Sequence, residues 1–184
     1  MNKRFLTIVA LIFTAALLRL LPHSPNFSPI GAIALFGGAF LTNRFYSFII
    51  PIAALLVSDF LLGFYGWEML ITYGSFTISI LIGNLLRKNK SWERVLFASL
   101  SSSMVFFLIT NFVYLYPVSI APMYTKDMAG VFNSYIAGLA FFQNTVVSDL
   151  FYSSVLFGGY YLLSINVLAL NKNKPALKAE KIIA

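Results

Sequence analysis

Apolar runs separated by short polar segments fill most of this chain, and they constrain its fold more than any other feature. The runs cover residues 5–21, 29–41, 46–64, 67–86, 95–116 and 145–168. About 20 apolar residues in a helix cross the hydrocarbon core of a bilayer, where a helix satisfies its own backbone hydrogen bonds. Only 10% of the residues are charged, against about 25% in an average soluble domain. We therefore expect an all-α, polytopic membrane protein with about six transmembrane helices.

Two stretches fit this pattern less well. The run 29–41 would reach only about 20 Å as a helix. Ser28 and Pro29 are typical of a helix start, in which the serine hydroxyl caps the first amides. The stretch 130–143 is more polar than the others. It either lies at the membrane interface or lengthens the last helix.

The basic residues indicate the orientation of the chain. Lys and Arg are retained on the cytoplasmic side of a membrane, and a six-span path that begins there places all but two of the 13 Lys and Arg residues inside. The exceptions are Arg19, near the outer end of the first span, and Lys126. This path puts both termini in the cytoplasm, with one membrane domain over residues 1–170 and a basic tail over residues 171–184. The net charge of +7 therefore indicates topology, not nucleic-acid binding.

Polar residues at membrane depth indicate where function resides. An ionised side chain at the centre of a span costs about 2.5–3.5 kcal/mol, so Arg19, Asp59 and Asp149 are expected to face the bundle interior. On the predicted path they lie toward the outer side, whereas the inner halves of the spans are almost purely apolar. This asymmetry predicts a polar cavity that opens outward. The predicted solute-binding residues are Arg19, Asn26, Asp59, Asn111, Asn144 and Asp149.

The charged residues also admit other interpretations. Arg19 and one aspartate can form a purely structural ion pair. Asp59 and Asp149 can share a proton in a hydrolytic dyad, as in aspartic proteases, although a glycine-rich context is absent around Asp59. The sequence lacks the motifs of zinc, serine and nucleotide hydrolysis, so we expect no enzyme, no metal and no cofactor.

Small residues four positions apart mark helix faces that can approach closely. Internal packing of the bundle is the simpler interpretation, and a face for another membrane subunit is the alternative. The pairs are Ala10 with Thr14, Ala34 with Gly38, Ala54 with Ser58, and Ser154 with Gly158.

Several segments of the chain carry a family resemblance. They are PNFSPIGAIALFGGAF at 25–40, PIAALLVSDFLLG at 51–63, TNF at 110–112 and FFQNTVVSDLFYSSVLFG at 141–158. These segments resemble an uncharacterised family of bacterial inner-membrane proteins that is common in Bacteroidetes, which implies a multi-pass inner-membrane protein and no particular activity. In length and span number the chain is also similar to the S components of energy-coupling-factor transporters and to the rod-shape-determining D-type proteins.

Two functions follow as hypotheses. The first is a transport subunit that binds a small polar solute in the outward cavity and relies on a partner energising module, because the chain has no ATPase motif. In it, Asp59 and Asp149 accept hydrogen bonds from the solute, and Arg19 pairs with one of them or with an anionic group. Asn26 and Asn111 orient the solute. The second is a non-catalytic scaffold or assembly protein that binds other membrane proteins through a small-residue face.

Overall fold

The computed structural model describes residues 3–117 and 123–170, with side chains described up to residue 165. These residues form an all-α fold, as predicted. The helices are α1 Lys3–Leu17, α2 Ile30–Phe40, α3 Arg44–Leu62, α4 Glu68–Leu85, α5 Trp92–Thr110 and α6 Met128–Leu170. Short 3₁₀ turns follow α1 at Leu18–Leu20 and α5 at Val113–Leu115. The predicted basic tail at 171–184 lies outside the described residues.

Four of the helices, α3 to α6, are long and apolar enough to cross a membrane. They expose large apolar side chains such as Phe60, Leu85 and Phe97 on the outside of the bundle, which is the surface that a bilayer requires. The protein is therefore compatible with a membrane location. Because α1 has 15 residues and α2 has 11, a count of six crossings stays a prediction.

Helix α2 lies at the centre of the bundle. It packs against all five other helices, most extensively against α4, and residues 32–39 are buried throughout. Gly38 and Gly83 allow this close approach, because a Cβ on either glycine would overlap the backbone of the opposite helix. The small pair Ala34 and Gly38 thus serves internal packing, since both residues are buried.

The C-terminal end of α2 is capped by an arginine from the segment after α4. The Arg87 guanidinium donates to the carbonyl oxygens of Gly38 at 3.0 Å, Leu41 at 2.9 Å and Thr42 at 3.3 Å. Carbonyls at a helix C-terminus lack helical partners and carry partial negative charge, so a cation stabilises them.

The N-terminal end of α2 differs from the prediction. Pro29 occupies the cap position, and no side-chain cap hydrogen bond is present there, so the predicted Ser28 cap is wrong. The Ala32 amide, in the first turn, instead hydrogen-bonds to the carboxyl of Asp149 from α6. A proline has no side-chain acceptor, and a carboxylate suits the positive end of the helix better than a hydroxyl does.

Helix α6 is continuous over 43 residues and therefore about 65 Å long, twice the roughly 30 Å hydrocarbon core. The stretch 130–143 is thus helical and continuous with the last predicted span. Asp127 starts the helix by accepting hydrogen bonds from the Gly130 amide and the Thr125 hydroxyl, each at 2.7 Å. The Gly130 amide, followed by that hydroxyl, lowers the pKa of Asp127.

Candidate functional site

Two adjoining cavities lie between α4, α5, α6 and the loop that precedes α2. The larger has a volume of about 230 Å³, and the smaller, of about 70 Å³, lies beside the N-terminus of α2. Asn26, Phe106 and Thr145 line both of them. The larger cavity lies at the bundle end where α4 begins and α5 ends, opposite the end that Arg87 caps.

Aromatic rings and six polar side chains line the larger cavity, and most of its surface is polar. The rings of Phe107 and Phe142 pack with their centroids 4.6 Å apart. The Asn111 amide donates to the carbonyl of Phe107 at 2.9 Å, and its Oδ1 lies against Gly138. The complete lining is Asn26, Thr72, Phe106, Phe107, Thr110, Asn111, Tyr116, Gly138, Phe141, Phe142 and Thr145. Small-molecule sites usually combine apolar walls with a few convergent polar groups, and the polar share is larger here.

Tyr116 adds a phenol to this lining from the segment after α5. Its hydroxyl donates to the carbonyl of Thr110 at 2.6 Å. Burial raises the pKa of Tyr116 above its usual value of 10.0, so the phenol stays protonated at neutral pH.

A buried carboxylate marks the smaller cavity. Asp149 is 2% exposed, and Ser103 on α5 donates to its Oδ2 at 2.6 Å. Gly31 lies directly against this carboxyl, which a Cβ at that position would overlap. Asp149 therefore lies between the first turn of α2 and the cavity, with the hydroxyls of Ser79 and Ser102 on other parts of the lining.

The loop before α2 is held on α6 by two side chains. Asn144 donates to the carbonyl of Pro25 at 2.9 Å, and the Ser148 hydroxyl lies 3.5 Å from the carbonyl of Asn26. Asn26 has a φ of 61°, in the left-handed region that asparagine tolerates better than most residues do. Asn144 thus positions the loop, and Asn26 is the loop residue that lines both cavities.

Arg19 and Asp59 form a separate buried ion pair. Arg19 Nη1 lies 2.7 Å from Asp59 Oδ1, with the two side chains 9% and 1% exposed. Arg19 also donates to the Ser58 hydroxyl, and the Tyr73 hydroxyl donates to Asp59 Oδ2 at 2.9 Å. Asp59 and Asp149 both face the interior as predicted. Neither Arg19 nor Asp59 lines either of the two cavities. Arg19 and Asp59 therefore form the structural ion pair that was the alternative to solute binding.

Comparison with known proteins places the chain in a family. The model of a family of unknown function, DUF6580, matches residues 1–174. The chain belongs to the DUF6580 family. Neither a curated protein nor a solved structure matches it. Membership brings no activity with it, so function must be inferred from the cavities and the charged groups.

The two aspartates lie in different hydrogen-bond networks. Asp59 contacts Arg19 and Tyr73, whereas Asp149 contacts Ser103 and the amide of Ala32. Within residues 3–117 and 123–165, no hydrogen bond joins the two carboxyls. A dyad that shares a proton needs the carboxyls in direct reach, and this arrangement does not provide one.

A set of buried serines was missed by the sequence analysis. Ser102 donates to Ser79 at 2.7 Å, and the hydroxyls of Ser99 and Ser153 are 3.5 Å apart. These contacts continue from Asp149 toward the end of the bundle that Arg87 caps, so buried hydroxyls accompany the apolar side chains there. A signal was present in the sequence, because Ser99, Ser102 and Ser103 have the spacing of one helix face.

Proposed function

We propose that the protein is a membrane transport subunit that binds a small polar solute in the two adjoining cavities. The observation that carries this proposal is the larger cavity, where aromatic walls and convergent polar groups meet at one end of the bundle and continue toward a buried carboxylate. Binding between helices, beside the end of a short central helix, is a common arrangement in membrane transporters.

The size of the cavity limits the solute. Drug-sized ligands occupy pockets of about 300–1,000 Å³, and the larger cavity has about 230 Å³. The solute is therefore smaller than a typical drug. Asn26, Asn111 and Asp149 are the predicted solute-binding residues that line the cavities. Arg19 and Asp59 stabilise the bundle instead, and Asn144 holds the loop.

The orientation of the cavities supports uptake from outside. Arg87, Lys88, Lys90 and Arg94 follow α4, at the bundle end opposite the larger cavity, and clusters of this kind are retained in the cytoplasm. We therefore propose six crossings with both termini inside, in the inner membrane of a bacterium such as a member of the Bacteroidetes. An energising partner completes transport, because the chain carries no nucleotide-hydrolysis motif.

A scaffold function is the second candidate. Ser154 and Gly158 lie exposed on α6, and Ala10 and Thr14 lie exposed on α1, which leaves two small-residue faces on the outside of the bundle. Helices pack closely on such faces in a membrane.

One pair of variants on α6 separates the two functions. Gly138 lies in the lining of the larger cavity against Asn111, whereas nothing lies within 4 Å of a Cβ on Gly158. The full chain is purified in mild detergent, and co-eluting small molecules are identified by mass spectrometry. G138L should lose the solute, and G158L should keep it. Retention of the solute by G138L contradicts the transport proposal, and loss of a stoichiometric protein partner from G158L alone favours the scaffold.

A further inference from the structure

From the surroundings of Asp149 we infer that the smaller cavity binds a monovalent cationic group, carried by the solute as an ammonium or supplied as an alkali ion. This inference rests on the proposed solute site and specifies the chemistry that it recognises. The geometry on which it depends is a buried carboxylate in the wall of a small, largely apolar cavity whose few polar groups carry oxygen.

The charge of Asp149 is only partly balanced by the protein. Its described partners are uncharged donors, the Ser103 hydroxyl and the Ala32 amide. The N-terminus of a helix supplies the equivalent of about half a positive charge, which leaves roughly half a negative charge buried beside the cavity. Burying an uncompensated charge is costly, and a buried carboxyl avoids this cost by taking up a proton or a countercharge. A cationic group in the cavity supplies the countercharge and competes with the proton.

The lining of the smaller cavity suits such a group. Oxygen-bearing side chains dominate the polar part of the surface, and they are Asn26, Ser28, Ser79, Ser102, Thr145 and Asp149. An ammonium group has three N–H donors and no acceptor, so it pairs with oxygens of this kind. The rings of Phe76 and Phe106 complete the wall, and aromatic faces attract cations.

The size and polarity of the smaller cavity exclude the whole solute and an anionic group as its occupants. A cavity of about 70 Å³ holds the liquid volume of about two waters, enough for an ammonium group or an alkali ion with about one water but not for the body of a solute. The body would occupy the larger cavity. An anionic group would need the first amides of α2, but Asp149 already occupies the Ala32 amide and would repel the anion.

The experiment follows thermal unfolding of the full chain in detergent at constant ionic strength, set with choline chloride. The probes are sodium chloride, potassium chloride and methylammonium chloride, with sodium acetate compared against sodium chloride as the anion control. We expect a saturable rise of about 5 °C in the midpoint for the wild type and less than about one fifth of it in D149N. Saturation by an alkali ion identifies a bound ion, and saturation by methylammonium alone identifies the amine of the solute.

D127N is the matched control, because it removes an exposed acid from the same helix and asparagine also caps helices well. It should respond as the wild type does. S28A, which removes a lining hydroxyl but no charge, should weaken the cation several-fold and covers the case in which D149N does not fold. Equal cation responses in the wild type, S28A and D149N, or no response in the wild type, overturn the inference.

The solute itself distinguishes the two proposals. A neutral or anionic solute that co-elutes with both the wild type and D149N refutes the cationic site and leaves the transport proposal standing. Absence of any solute, together with a cation response that D149N abolishes, refutes the solute site and supports the cation site alone.

Discussion

The two buried aspartates differ in how the protein balances their charge. Asp59 and Asp149 each follow a serine, lie in a helix and are almost completely buried. Asp59 has a full countercharge in Arg19 and lines neither of the two cavities. Among the described residues, Asp149 has dipolar partners alone, and it lines the smaller cavity. A carboxylate whose charge is neutralised by an arginine attracts a cationic ligand only weakly. A carboxylate with dipolar partners keeps part of its negative charge and can attract one. The difference separates a structural site from a binding site.

The largest effect is expected at the paired aspartate. R19M leaves Asp59 buried without its countercharge, which costs about 3–5 kcal/mol. The free energy of unfolding, measured with denaturant in mild detergent, should fall by this amount. The double variant R19M/D59N should recover much of the loss, because it removes the charge that R19M leaves unpaired, and its solute binding should be normal. If R19M is as stable as the wild type, the ion pair between Arg19 and Asp59 does not hold the bundle together.

The difference between the two aspartates was only partly predictable from the sequence. The apolar runs predicted the helices, since a backbone in lipid must be helical or in a barrel, and desolvation cost predicted that both acids face inward. The partner of Arg19 was not predictable, because Ser58-Asp59 and Ser148-Asp149 are identical dipeptides in apolar helices. Only the packing of helices distant in the chain decides which carboxyl meets the arginine.

The partners of helix ends and loops were also not predictable from the sequence. Local chemistry favoured Ser28 as the cap of α2, but the cap comes from Asp149 on the last helix. Asn26 and Asn111 line one cavity, because they flank apolar runs at the same end of the bundle. Asn144 was assigned to the solute, but it holds Pro25. Backbone acceptors are invisible in a residue pattern, so a polar side chain that serves the fold resembles one that serves a ligand.

An intermediate effect is expected where Asp149 meets α2. In G31A the new methyl group overlaps the Asp149 carboxyl, and overpacking of this kind costs about 1–3 kcal/mol. The carboxyl must move, so affinity for the cation and the solute should fall at least tenfold. G74A is the control, since nothing lies within 4 Å of a Cβ there and an alanine should stabilise that helix by about 0.5–1 kcal/mol. If G31A binds as tightly as the wild type, the contact between Asp149 and α2 has no role in recognition.

The smallest effect is expected at Asp127, an exposed acid that serves as the reference for the two buried ones. The Gly130 amide holds its pKa below the ordinary value of 3.8. A carboxyl with a lowered pKa in the folded state stabilises the fold above its unfolded pKa and loses this contribution as the pH falls through the folded value. Helix α6 should therefore fray at its first turn below about pH 4, which is measured as faster exchange of the Gly130 and Val131 amides after correction for intrinsic exchange rates.

D127N should show no such pH dependence, because its amide does not titrate. If the corrected exchange of the wild type is also independent of pH in this range, the carboxylate of Asp127 does not cap α6.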